Sequence, residues 1–518
     1  MKKIFFAILA IFFLTNISNA QSLVNFGLDK TITLPKMNDY QRILGSDSDA
    51  LYTLRINEKD ELYLDLINAN SLVKESETQL VMPIMNGINS KFVAMYYLDS
   101  KLVLLTEIMN NTSKEKTLYI QQVDYRNGQI TGEPKAIGKL TGPNTTVGFK
   151  VQLTPNKQNI FVSYNRNFQT YNDEPFFFKV YDPNLKEIYN KTVKLPMTGK
   201  AFEIDQVEIG NSGNVYMLAR ISPDARTAQR MKTVICDYKL LVFNATNGNI
   251  TPYDLKGKKL QLFDAIIGVD ENENVDVFGF MVRKGKDTYE AIYHQKLDKK
   301  TGKFRMGDAK KSDYIFTKKD LPEFRASRLS KNMKEIYNYK LLGVTYLENG
   351  GAAVIAEHQN YWKDSIKDPQ TKKVTYSDYY KFNDILIAYC DPANNMEWMT
   401  RIPKSQYSYN DLGMYSSVAF TSVGEKIILF YNDNSSNLKS LQSNNTDGSK
   451  YKELSSPSRS GISVVVSVFS DGKFTGSQLF NKNDSYRIMP EFVKEFNYRT
   501  YMLAQDGKKV KFVQYTGR

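Results

Sequence analysis

Short runs of apolar residues alternating with polar ones, each followed by a tight turn of Gly, Asn, Asp or Ser and a second such run, recur along this chain. A period of two is the signature of a strand with two unlike faces, and two such runs around a polar turn read as a hairpin. Eight hairpins of one kind begin at Arg42, Tyr96, Gln152, Val207, Ile266, Val344, Val418 and Phe492. Seven of a second kind begin at Glu61, Thr117, Pro175, Lys239, Glu290, Asp384 and Ile462, and they alternate with the first. An eighth strand of the second kind, KVKFVQYTGR from Lys509, has no run after it, whereas SLVNFGLDKTITLP from Ser22 has none before it.

Self-similarity at a fixed spacing predicts a repeat architecture, and a repeat divided between the two ends predicts a ring. The expected fold is all-β: a single β-propeller of eight four-stranded blades over residues 21–518, with seven as the alternative count. The N-terminal strand completes the C-terminal blade, because an open row of sheets would leave two bare edges. Blades of roughly sixty residues exceed the about 40 to 50 of common propeller repeats, so the surplus is assigned to loops. The long segments 164–176, 222–233, 306–340, 358–383 and 432–461 all connect second to third strands or one blade to the next. They therefore gather on one rim, which is the expected functional face.

Two of these segments have a character of their own. In 306–340, Asp320 is placed to cap a short helix with Leu321, Phe324, Leu329 and Met333 on one side. Ser, Asn, Lys and Asp dominate 432–461, which reads as a mobile loop. The richest in chemistry is 358–383, which carries His358, Tyr361, Trp362, Tyr376, Tyr379 and Tyr380 among several lysines. Rings beside cations suit stacking on sugar faces or anchoring a protein partner. Tyr164, Phe168 and Tyr171 with Arg226 and Arg230 would extend that surface; the alternative is that the rings pack the loops against the rim.

The first twenty residues read as an address. Lys2 and Lys3 precede an apolar run from Ile4 to Leu14, and Ser18 and Ala20 are small residues at the positions a signal peptidase reads. The run is too short for a helix that needs about twenty residues to cross a bilayer, so cleavage before Gln21 and export to the periplasm or cell surface are expected, with no membrane span in the mature chain. Loss of the leader takes the formal charge from +13 to +11, Lys2 and Lys3 being its only charges. For an exported basic protein, nucleic acid is excluded as a partner; an envelope protein or an anionic glycan is expected.

Signals for catalysis are sparse. His294 and His358 are the only histidines, which disfavours His-based acid–base chemistry or a metal cluster, and no nucleophile elbow, zinc helix, phosphate loop or Cys-x-x-Cys is present. No cofactor or metal is expected. DENENVD from Asp270 places oxygens at alternate positions like a calcium loop, but Val275 and Met281 stand where that loop needs Gly and Glu, so it reads as an ordinary turn. Cys236 and Cys390 fall two blades apart, too far for a disulfide. Carboxylate pairs for glycan hydrolysis leave no local trace, so an enzyme on the same scaffold is the second reading and an outer-membrane β-barrel the third.

QLTPNKQNIFVSYN from Gln152 resembles the turn-and-strand motif of TolB-type propeller repeats. Asn156 stands at the acidic or amide turn position, and Gln158 and Asn159 depart from the motif where it has glycine. NSGNVYMLA and ENGGAAVIA resemble looser hairpins of other bacterial propellers. DPANNMEWMTRIPKSQ, with Trp398, is similar to large exported propellers of Bacteroidota. The resemblance implies a fold and carries over no catalytic residue.

Overall fold

The computed structural model describes strands Leu23–Phe26 and Ile32–Thr33 and residues 40–516, apart from 58, 60, 142–147, 166–174, 196–201, 222–236, 258–259, 284–288, 299–302, 306–312, 316–337, 368–369, 372, 447–449, 482, 497 and 508. The leader, Phe168, Tyr171, Arg226, Arg230, Cys236 and the helix expected after Asp320 lie outside the described residues.

The described residues are mostly strand, and in seven sheets four successive strands pair antiparallel in chain order. Sheet one is Tyr40–Ser46, Ala50–Ile56, Leu62–Asn68 and Lys74–Leu80. Sheets two to seven begin at Lys91, Lys150, Phe202, Gln261, Tyr339 and Ala419. Sheet eight orders Arg487–Ile488 and Lys494–Phe496, then Arg499–Asp506, then Lys509–Thr516, and finally Leu23–Phe26, whose Leu23 faces Thr516 and whose Phe26 faces Val513. Among the described residues the strands fall into separate sheets of two to six, which overturns the barrel reading, since that requires one continuous sheet.

Each buried apolar cluster joins two consecutive sheets. Leu54 and Leu64 of sheet one pack with Met95 and Leu104 of sheet two; Phe161 and Phe178 of sheet three pack with Met217 and Phe243 of sheet four. Ile355 and Ile387 of sheet six meet Leu429 and Val466 of sheet seven. The last sheet meets the first in the same way, Tyr501 and Phe512 with Ile43, Leu51 and Ile67. Face-to-face burial of this kind explains why second and third strands read as near-continuous apolar runs: both faces are covered. Val275–Val282, for instance, is buried at every position.

First strands of neighbouring sheets lie against one another and form the inner edge, with Gln261–Val269 between Phe202–Ile209 and Tyr339–Tyr346. Crowding there selects glycine. A β-carbon at Gly268 would stand 2.6 Å from Val344 Cβ, and one at Gly343 2.7 Å from Phe420 Cζ. Polar stitches run along the same edge: Gln206 Nε2 donates to the Ile267 carbonyl and its Oε1 accepts from the Ile267 amide, both at 2.8 Å. The arrangement is that of a β-propeller.

Two expected loops are differently built. Segment 358–383 is a continuation of the ladder of sheet six, because Ala352–Lys367 and Val374–Cys390 remain paired out to Lys367 opposite Val374. The described part of 432–461 contains the 3-10 turn Ser435–Asn437, the helix Leu438–Gln442 and the short strand Leu454–Ser455. Its polar residues satisfy one another: Asn437 donates to the Lys452 carbonyl (2.8 Å) and accepts from its amide (2.9 Å), while Leu441 is wholly buried.

The turn at Asp270 is closed by Asn274, whose amide N and Nδ2 each donate to the Asp270 carboxylate at 2.7 Å. His294 is packed, 2.8 Å from Asp276 and stacked on Phe278. Cys390 is a free buried thiol whose pKa burial drives up. Among the described residues no group of His, Cys, Asp and Glu could hold a metal ion, and no helix is long and apolar enough to cross a membrane.

Candidate functional site

The second and third strands of sheet six run to 16 and 17 residues, and their composition changes along the way. Within the body of the sheet, AAVIA from Ala352 and ILIAYC from Ile385 are apolar on both faces and buried. Beyond Glu357 the sequence becomes QNYWKDSIK opposite VTYSDYYKF, with rings and charges on both faces, and the strands leave the body as an arm. The register shifts at the joint, where His358 on one strand opposes Asn383 and Asp384 on the other. A bulge of this kind bends a strand and redirects its side chains.

Gln406–Tyr409 adds a third strand to the arm, pairing Tyr409 with Tyr379 and Gln406 with Phe382. Alternation then sorts the rings by face. One face carries Trp362 and Tyr379, stacked at 5.3 Å between centroids with planes 10° apart. Tyr407 lies 6.3 Å from both and Tyr409 6.4 Å from Tyr379. These four rings make a platform whose edges are open to solvent, Trp362 being 41% and Tyr409 53% exposed. Lys381 sits on the same face and is paired with Glu453 at 3.2 Å.

The opposite face holds Tyr361, Tyr376 and Tyr380. Tyr361 stacks obliquely on Tyr380 (5.2 Å, 40°) and its hydroxyl donates to Asp378 at 2.6 Å, which raises the phenol's pKa. Lys363 lies 3.7 Å from that carboxylate and 5.3 Å over the Tyr376 ring. The sequence grouped Tyr361 with Trp362 as one patch; the ladder places them back to back.

Two expected members fall elsewhere. His358 is at the arm's root, 4% exposed, with Asn383 Nδ2 3.1 Å from its Nδ1, and burial lowers its pKa so that it is neutral at pH 7. Tyr164 is 5% exposed in the cluster between sheets two and three, stacked on Phe177 at 4.8 Å and edge-on to Phe149 at 5.2 Å. For Tyr164 the packing alternative holds, because its strand position faces the preceding sheet. Tyr407 and Tyr409 were missed. Their signal was the alternation QYSY after Pro403.

A buried polar network lies beneath the arm. Lys404 Nζ is 2.6 Å from Glu357 Oε1, both side chains wholly enclosed, and donates to Gln406 Oε1 at 2.8 Å. The other Glu357 oxygen accepts from Ser417 (2.6 Å) and Gln359 (2.7 Å). Arg401 Nε is 3.0 Å from Asp384, which also accepts from the Lys404 amide. Burial presses the Lys404 ammonium below its ordinary range against the pull of Glu357, and pushes the Asp433 carboxyl up to about 7 despite donors from Asn437, Asn434 and Tyr451. Enclosed on all sides, this network fixes geometry rather than meeting a ligand.

Carboxylates also gather on the inner edge of sheets four and five. Arg220 is shared by Glu203 (2.6 Å) and Asp205 (3.4 Å). Glu208 accepts from Gln206 (2.9 Å) and Gln152 (3.2 Å), and Asp264 from its neighbour's amide. Burial raises the pKa of Asp205, Glu208 and Asp264.

No family model and no curated protein matches this chain. Among solved structures it is similar to an uncharacterized protein of Listeria monocytogenes, at 9% identity over 93% of this chain and 97% of that one (TM-score 0.35). The WD40 domain of SCAP from fission yeast is similar at 11% over 96% and 98% (TM-score 0.37). The β-propeller domain of the Trilobed protease from Pyrococcus furiosus is similar at 9% over 87% and 100% (TM-score 0.36). Strand pairing and the clusters between sheets, not these likenesses, define the propeller class.

Proposed function

We propose that this chain is an exported, non-catalytic propeller of eight blades, fastened by its N-terminal strand, that binds a glycan or protein of the cell envelope through the arm of sheet six. The ring is supported by the pairing of Leu23–Phe26 with Lys509–Thr516 and by the apolar cluster that unites the last sheet with the first. Export is supported by the leader-like residues 1–20. The binding role rests on one observation, the platform of Trp362, Tyr379, Tyr407 and Tyr409 on a rigid three-stranded sheet. Ladder hydrogen bonds order these rings in advance, so little conformational freedom is lost when a partner arrives. Nearly parallel rings match the flat face of a sugar, and basic residues nearby favour an acidic one.

The test is retention of the mature protein on immobilised envelope polysaccharide and on detergent-extracted envelope proteins, compared with Trp362→Ala. Loss of retention with an unchanged melting temperature is expected; equal retention, or a lowered melting temperature, would refute a binding platform. A glycan-active enzyme is the second reading, favoured by the raised carboxyls of Asp205, Glu208 and Asp264 on the inner edge. Turnover of a glycan by the purified protein, abolished by Glu208→Gln, is its signature.

A further inference from the structure

A cavity of about 590 Å³ opens on the inner edge where the first strands of sheets one, two, three and eight converge. Three cations line it from three elements: Arg42 on Tyr40–Ser46, Lys157 in the first turn of sheet three, and Lys494 on Lys494–Phe496. Lys157 Nζ reaches across to donate to the Glu495 carbonyl at 2.9 Å and lies 5.5 Å over the Phe496 ring. Arg42 sits 5.4 Å over Phe92. Among the described residues, none of the three is ion-paired. The carboxylates that line the cavity are Glu491 and Glu495, and Glu495 already accepts from Thr421.

Like charges collected in a recess repel one another, and an anion entering the recess relieves that repulsion. Arg42, Lys157 and Lys494 each keep a solvent-exposed part at the mouth of the cavity; the Lys494 pKa is lowered by partial desolvation and then by the Arg42 guanidinium, with Glu491 opposing and Lys157 adding to the depression. The rest of the wall is mostly apolar, with Leu44, Met95, Leu153 and Phe492 beside Tyr96, whose hydroxyl donates to the Val151 carbonyl. A volume of this order suits a small molecule, and a few polar groups on a mostly apolar wall are how such sites orient one.

We propose that this cavity binds a small organic carboxylate, its anionic group among Arg42, Lys157 and Lys494 and its apolar part against Leu44, Met95 and Phe492. The site is separate from the arm and does not depend on the arm's role. Calorimetric titration of the mature protein with naphthalene-2-carboxylate and with its neutral isostere naphthalene-2-carboxamide tests it. The carboxylate should bind at one site per chain and the carboxamide about tenfold more weakly or worse, since a charge-assisted contact is lost. Arg42→Gln and Lys494→Gln should each weaken the carboxylate about tenfold while melting like the parent protein. Equal binding of the two probes, absence of carboxylate binding, or parental affinity in both variants would overturn the proposal. If a variant fails to fold, the comparison of the two probes on the parent protein decides.

Discussion

The two halves of one hairpin in sheet six share a ladder and differ in everything else. In sheet six, Ala352–Glu357 and Asp384–Cys390 are buried on both faces, whereas Gln359–Ile366 and Val374–Phe382 carry the same ladder into solvent. Backbone pairing is common to both, so the ladder cannot explain where the body ends. Side chains do: an apolar inner half bonded to its neighbours by burial, a joint of enclosed charges, and an outer half of rings available for contact. Stability and recognition are thereby assigned to different stretches of the same two strands.

The sharpest way to break that division is at the joint. Lys404→Met leaves the enclosed Glu357 carboxyl without its partner, and about 3 to 5 kcal/mol of stability should be lost in denaturant melts, with much of it restored when Glu357→Gln is added. Ile387→Ala, in the inner half, opens a cavity between sheets six and seven and should cost about 2 to 5 kcal/mol by the same measurement, with retention on the partner intact once folded. In the outer half the pattern reverses: Trp362→Ala should remove about 2 kcal/mol or more of binding and shift stability by less than about 0.5 kcal/mol.

A pH series probes the floor of the joint. Asp433 has a folded pKa of about 7, above its unfolded value, so the folded state holds a proton that the unfolded state has released. Stability contributed by this group is therefore full at acidic pH and declines as pH rises from about 4 through 7, by at most about 1.4 kcal/mol per pH unit. Asp433→Asn should abolish that decline, being closest to the parent at pH 4 and more stable by a margin that levels off above pH 7; parallel curves would contradict it. Smallest of all, Tyr361→Phe removes one exposed hydroxyl bond to Asp378 on the face away from the platform. Melting and partner retention should both move by less than about 0.5 kcal/mol.

Much of the fold was legible because strands buried on both faces, and turns that need Asn, Asp or Gly, leave local marks. ISVVVSVFSDGKF is a hairpin by composition alone, and Ile462–Val468 pairs with Phe474–Gln478. The arm was not legible as a ladder. HQNYWKDSIK has no apolar face, so its extended form depends on a partner strand rather than on its own pattern. His358 looked exposed among polar neighbours, yet a bulge turns it inward. The network of Glu357, Asp384, Arg401 and Lys404 is assembled from strands whose sequence spacing carries no motif, and the Asn-rich stretch after Asn432 looked like a loop because polar groups that satisfy each other internally have the same composition as polar groups that face water.

Pairing of Leu23–Phe26 with Lys509–Thr516 also has a meaning in time. Ribosomes add about 5 to 20 residues per second, so the earliest strand waits roughly 25 to 100 s for the segment it will hydrogen-bond to. During that interval its edge is vacant, and a neighbouring nascent copy offers the same complementary strand. Crowded synthesis should therefore yield interlocked dimers, a hazard that ends once each chain has captured its own tail.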